Sequence, residues 1–165
     1  MLRKAMTALL ATGVLLTAAT PVAAQWDPTP IVIGQSYALP STVMGAAREI
    51  NVWLPPGYAE GATRYPVLYL LDGGTTWQDF HHISGLAQLG TVNGTTRDVI
   101  VVGIASVDRR NELALATDNA ELIARYPTQG HSDRFRRFVA DEVQPFIEGR
   151  FRTNGETALM GESLA

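Results

Sequence analysis

With 165 residues, 46% of them apolar, the chain is long enough for one domain with a core of its own and short for two. Cysteine is absent, which excludes disulfides, thiolate nucleophiles and Cys-ligated zinc. His81, His82 and His131 stand in no metal-ligand spacing, so neither a metal nor any other cofactor is expected.

The first stretch stands apart from the rest. Arg3 and Lys4 precede an apolar run from Ala5 to Ala19, and Val22-Ala23-Ala24 offers the small residues that a signal peptidase requires. Residues 1–24 therefore read as a secretory signal peptide, with the mature domain over 25–165. The run is too short for a span of about 20 residues, so no membrane association is expected once the signal is removed. Without Arg3 and Lys4 the chain keeps 11 arginines against 16 acidic residues, a net charge of −5. That balance argues against nucleic acid or an anionic membrane as a partner. The expected location is the periplasm or the exterior, where disulfides would be possible, so the fold must be held by its core.

Beyond the signal the elements follow in order. Residues Ile31 to Pro40 and Arg48 to Leu54 read as strands, the second alternating Ile50, Val52 and Leu54 before Pro55-Pro56-Gly57 stops it. They predict an antiparallel front edge. The run Tyr65-Pro66-Val67-Leu68-Tyr69-Leu70-Leu71 is apolar without alternation, as a strand covered on both faces should be, and Asp72-Gly73-Gly74 ends it. A short helix around His82 to Leu89 separates it from a second such run, Val99 to Ile104, the layout of a βαβ crossover. His81 and His82 read as the polar start of that helix, with lining of the pocket as the other reading.

Residues Asp108 to Gly130 read as a connection longer than a routine turn, of the kind that forms pocket lids or binding loops. Arg109, Arg110 and Arg125 are its cationic groups; Arg109 and Arg110 are candidate contacts for an acidic or polyhydroxylated substrate. From Ser132 the period becomes helical, with Phe135, Phe138, Val139, Val143, Phe146 and Ile147 on one face and Gly149 as the stop. Pro145 removes one hydrogen bond and is expected to bend the last turn. Thr157 to Met160 reads as a third buried strand that runs into Gly161-Glu162-Ser163-Leu164-Ala165. The fold class is α/β, a mostly parallel doubly wound sheet with antiparallel front strands.

The last pentapeptide carries the chemistry. A serine between a strand and a following turn, with small residues two before and two after, can sit on a strained turn that holds its hydroxyl above the sheet. Ser163 is then a nucleophile, and the Leu164 N–H points at the carbonyl oxygen of a bound ester. The loop Asp72-Gly73-Gly74-Thr75-Thr76-Trp77 is placed to offer a second backbone donor. Trp77 and Phe80 beside it are candidates for the floor of an acyl or aryl pocket.

The order Leu-Pro-Pro-Gly-Tyr (54–58), Tyr-Pro-Val-Leu-Tyr-Leu-Leu-Asp-Gly-Gly (65–74), Asp-Arg-Arg-Asn-Glu-Leu (108–113), Phe-Val-Ala-Asp-Glu-Val-Gln-Pro-Phe-Ile-Glu (138–148) and Gly-Glu-Ser-Leu-Ala resembles the putative esterase family of α/β-hydrolases. That family includes esterase D types, enterochelin-esterase-like siderophore hydrolases and mycolyltransferases. The resemblance covers residues 47 to 165. It implies Ser163 as the catalytic nucleophile, Leu164 N–H and Gly74 N–H as the oxyanion hole, and a small-molecule ester as substrate. It also implies an acid and a histidine after the serine in chain order. The sequence ends at Ala165, so the expectation is an esterase domain incomplete at its C-terminus, inactive as it stands and poorly soluble. An acyltransferase of the mycolyltransferase type and a catalytically dead secreted binding protein are the other readings; labelling of Ser163, and transfer to an added alcohol or sugar against transfer to water, separate them.

Overall fold

β-Branched and aromatic residues recur in runs that a pleated, two-sided surface accommodates well, and five of these runs form one mixed sheet. In the computed structural model, which describes residues 28–165, the strands are β1 (Gln35–Leu39), β2 (Arg48–Trp53), β3 (Tyr65–Leu71), β4 (Ile100–Ile104) and β5 (Thr153–Met160). The expected signal peptide lies outside the described residues. The strand order is β1-β2-β4-β3-β5. β1 pairs antiparallel with β2 and β2 antiparallel with β4, whereas β4, β3 and β5 run parallel to one another. The front strands and the parallel core thus follow the sequence expectation.

Helices cover both faces. α1 (Phe80–Asn93) makes the crossover between β3 and β4, and its Phe80 packs with Trp53 and Val101 on one face. On the other face a long helical stretch lays Phe135, Phe138, Val143 and Ile147 over Ile50, Val52, Val67, Tyr69, Ile100, Val102 and Ile104. Val101 thus faces one helical layer while Ile100 and Val102 face the other, as alternation along a strand requires. Each of these fully buried side chains contributes roughly 1.5–3 kcal/mol of transfer free energy.

Several expectations change in detail. β1 begins at Gln35 rather than Ile31. At Gly34 the chain already passes so close to β2 that a Cβ would lie 2.5 Å from the Val52 carbonyl oxygen. α1 is longer than expected and ends at Gly94, whose φ of 66° closes the helix in the left-handed region. The connection over 108–130 is not a bare loop: it contains α2 (Arg109–Leu113) and α3 (Ala120–Arg125), capped by the side chains of Asp108 and Asn119. The long helix is α4 (Ser132–Phe138), a π segment (Val139–Val143) and α5 (Gln144–Arg150). Pro145 stands at the start of α5, where the widened π turn takes up its missing N–H, so the irregularity precedes the proline instead of bending the last turn. β5 is the edge of the described sheet, not a buried strand: Leu159 is 65% exposed. Its composition suits burial, but burial depends on neighbours, and here it has β3 alone.

The π segment also ties the front hairpin to the helical layer. The Glu142 carboxylate accepts from the Thr42 N–H at 2.9 Å, the Thr42 hydroxyl at 2.6 Å and the Val43 N–H at 3.1 Å, and from the Ser41 hydroxyl. Burial alone would raise this carboxyl. The donors from Ser41, Thr42 and Val43 outweigh it and hold the group below its ordinary range. A folded-state value below the unfolded one stabilises the protein above the ordinary carboxylate range, and that contribution is lost as pH falls through the folded value. Glu142→Gln is therefore expected to flatten the acid limb of a thermal-stability profile recorded over about pH 3 to 6. A parallel downward shift at every pH would show that the carboxylate's charge is not what these donors hold.

Candidate active site

Parallel strands place their C-terminal ends on one edge of the sheet, and in this topology β3, β4 and β5 open together. β3 runs into Asp72-Gly73-Gly74, β4 into Ala105-Ser106 and β5 into Gly161-Glu162-Ser163. Between them lies a cleft of about 580 Å³, lined among others by Asp72, Trp77, Gln78, His82, Ser106, Arg109 and Ser163.

Among the described residues three non-glycine residues have positive φ: Asp72 at 53°, Trp77 at 60° and Ser163 at 61°. All three line this cleft. A side chain in the left-handed region costs of order 1–3 kcal/mol, and such strain persists where the surroundings over-determine it. For Ser163 the surroundings are a tight turn closed by the Ala165 N–H donating to the Glu162 carbonyl at 3.1 Å. A Cβ on Gly161 would lie 2.5 Å from the Ala165 carbonyl carbon and 3.0 Å from the Ala165 Cβ, which is why position 161 is glycine and position 165 small. The serine therefore stands on a strained strand-ending turn, exposed, at the cleft wall.

The Gly loop is more occupied than its sequence suggests. Gly73 lies against β4, where an added Cβ would be 2.2 Å from the Gly103 Cα. The Gly74 N–H, the expected second oxyanion donor, donates to the Gln78 Oε1 at 2.7 Å. Gln78 lines the cleft, and its carboxamide also takes the Ser106 N–H at 3.2 Å and donates to the Ser106 carbonyl at 2.8 Å. Leu164 lines a separate groove with Phe135 and Val139 rather than the cleft lined by Ser163.

The arginines part company. Arg109 Nε donates to Asp72 Oδ2 at 2.7 Å, and Nη2 lies 2.6 Å from the same oxygen and 3.4 Å from the Glu162 carbonyl. The Asp72 hydrogen bond raises the guanidinium further above its ordinary range. Arg109 thus joins the Gly loop to the serine turn while remaining part-exposed at the cleft. Arg110 is not at the cleft; its guanidinium stacks on Tyr126, 4.0 Å from the ring centroid. Trp77 lines the cleft mouth but is 99% exposed, and Phe80 is buried in the core with Trp53 and Val101, so neither forms a pocket floor. Of the two histidines at the start of α1, His82 lines the cleft, with Nδ1 3.1 Å from Asp79 Oδ1. No three His, Asp or Glu side chains cluster as metal ligands among the described residues. No described helix is long and apolar enough to cross a membrane.

Comparison with known proteins sets this geometry in context. The family model described as "Putative esterase" matches residues 41–165. An IroE-like serine hydrolase from Shewanella oneidensis is similar in structure with a TM-score of 0.65 and 33% identity, over 80% of this chain and 43% of that one. The siderophore hydrolase EstA from Aspergillus nidulans aligns at 0.68 and 22% identity, over 85% of this chain and 53% of its own. The enterobactin esterase FES from Shigella flexneri aligns at 0.56 and 16%, over 82% and 31%. This chain therefore spans about a third to a half of the length of these structures. No curated protein matches significantly in sequence. The matched model covers the strained serine turn, the Gly loop and the strands β2 to β5 that join them, and the chain belongs to this esterase family of α/β-hydrolases.

Proposed function

We propose that the chain carries the nucleophile and oxyanion elements of an exported serine carboxylic-ester hydrolase acting on a small-molecule ester. The observation that carries the reading is the cleft-lining Ser163 at a φ of 61°, on a turn whose ends, Gly161 and Ala165, approach too closely for a larger residue at 161. Membership of the esterase family supports it, as do the names of the structural neighbours, a siderophore hydrolase and an enterobactin esterase. Arg3, Lys4 and the apolar run after them support export to the periplasm or beyond.

In this reading the Ser163 Oγ attacks the ester carbonyl carbon as a base takes its proton. The carbonyl electron pair moves onto oxygen, and the oxyanion accepts from the Leu164 N–H and from the Gly74 N–H, the latter shared with Gln78. Collapse expels the alcohol, which takes up a proton, and leaves an acyl group on Ser163. Water then releases the acid by the same route in reverse. A serine hydroxyl needs such a base to act at neutral pH, and in this fold the acid and the histidine follow the serine along the chain.

The test is a p-nitrophenyl ester panel together with a fluorophosphonate probe, applied to the protein isolated from its native host. Turnover with one probe per chain, mapped by peptide mass to Ser163, is the expected result. Turnover with the label on another residue, or neither turnover nor label, would overturn the assignment.

A further inference from the structure

A peptide group has two ends, and the one between Gly73 and Gly74 is held at both by side chains from other parts of the fold. Its carbonyl, on Gly73, accepts from Asn51 Nδ2 at 2.9 Å. Its N–H, on Gly74, donates to Gln78 Oε1 at 2.7 Å. Asn51 comes from β2, is 1% exposed, and is oriented by a second bond from Nδ2 to Glu49 Oε1 at 2.7 Å. Gln78 is anchored through both backbone groups of Ser106, at 2.8 and 3.2 Å, at the end of β4.

From this we infer that Asn51 and Gln78 are positioning residues that clamp the Gly73–Gly74 peptide plane and thereby aim the oxyanion donor of the esterase reaction. The inference rests on the proposed function above. Burying a polar carboxamide in a strand is unfavourable unless it is hydrogen-bonded, and Asn51 is buried with Nδ2 bonded to the Gly73 carbonyl and Glu49 while its Oδ1 has no partner, so its place there requires a reason, which the Gly73 carbonyl supplies. A glycine pair is free to rotate about its backbone, and an oxyanion hole needs its donors preorganised. The clamp removes that freedom. It also accounts for glycine at 74, where a Cβ would sit 2.7 Å from the Gln78 Oε1. Oε1 holds the N–H in line, and a developing oxyanion would share it with Gln78.

The test compares Gln78→Met and Asn51→Leu, near-isosteric replacements without hydrogen bonds, and the double variant, in the full chain. Amide exchange at Gly74 is expected to be at least about 10-fold faster in Gln78→Met than in the parent protein, with the rest of the sheet protected as before. On a p-nitrophenyl ester, kcat is expected to fall roughly 10- to 100-fold with KM changed less than about 3-fold, as for an interaction made only in the transition state. Because both residues act on one peptide, the double variant should lose about as much as the worse single one. An unchanged or raised kcat in Gln78→Met, additive losses, or unaltered Gly74 exchange would each overturn the clamp. If Asn51→Leu does not fold, Gln78→Met decides alone through its exchange and its kcat. Absence of turnover in the parent protein would instead sink the esterase reading, and Gly74 exchange would still decide whether Gln78 holds the loop.

Discussion

Ser163→Ala is expected to lower ester turnover by roughly 10⁴-fold or more and to abolish labelling by a fluorophosphonate. The size follows from what remains. Without the hydroxyl no acyl intermediate forms, and the only catalysis left is oxyanion stabilisation of attack by water, a residual acceleration of roughly 10³ to 10⁴ over solution. The same position yields a stability prediction of opposite sense. Ser163 sits at a φ of 61°, which glycine adopts without penalty. Ser163→Gly should be inactive yet more stable by about 1 kcal/mol, whereas Ser163→Ala, which keeps the Cβ, should unfold close to the parent temperature. Steady-state kinetics and thermal denaturation on the three proteins check both parts. Comparable turnover in Ser163→Ala would move the nucleophile elsewhere; equal stability of the glycine and alanine variants would mean that the turn stores no strain.

The largest effect on folding is expected at Glu112. Arg48 of β2 and Glu112 of α2 form a fork-to-fork pair, Nη1 to Oε1 at 2.7 Å and Nη2 to Oε2 at 2.9 Å, with the residues 6% and 3% exposed. Arg48 Nη2 also donates to the Ala105 carbonyl at 2.9 Å, and Glu112 Oε2 accepts the Val107 N–H at 3.1 Å. The pair therefore fastens the segment leaving β4, which bears Ser106 and leads to Arg109, onto the front strands. Removing one partner leaves the other charge buried and unpaired, at a cost of about 3–5 kcal/mol. Glu112→Ala is expected to lower the unfolding temperature by on the order of 10 °C. Arg48→Met combined with Glu112→Leu should recover most of that loss, since two apolar groups of similar volume leave no orphan charge. A double variant as unstable as Glu112→Ala would indicate that the pair's hydrogen bonds to Ala105 and Val107, rather than the buried charge, carry the stability.

The residues that announced themselves in the sequence are those whose role depends on near neighbours. Tyr65–Leu71 and Ile100–Ile104 read as doubly covered strands because every position is apolar, and they are the parallel centre of the sheet. Gly161 and Ala165 marked the serine turn because closeness over four residues demands small side chains. Gln78 and Asn51 gave no such signal. A glutamine after a tryptophan and an asparagine in a strand are ordinary until the fold brings Ser106 and Gly73 against them. The roles of Arg109 and Arg110 were indistinguishable in sequence. One reaches Asp72, and the other stacks on Tyr126, because successive positions at the start of α2 point in different directions.

The sequence by itself determined the order of the strands, the crossover helix and the long helix over 132–149, the apolar faces that pack them, and a serine turn with Gly161 and Ala165 at its ends, because all of these rest on local periodicity and local sterics. Only the tertiary structure decided that the three residues in left-handed backbone meet at one cleft, that Gly74 is already engaged by Gln78, and that Arg109 bridges the two loops. The Arg109 contacts span 37 and 53 positions, and the cleft brings Asp72 and Ser163, 91 positions apart, to one wall; which groups meet across such distances depends on strand order and register, which no local pattern encodes.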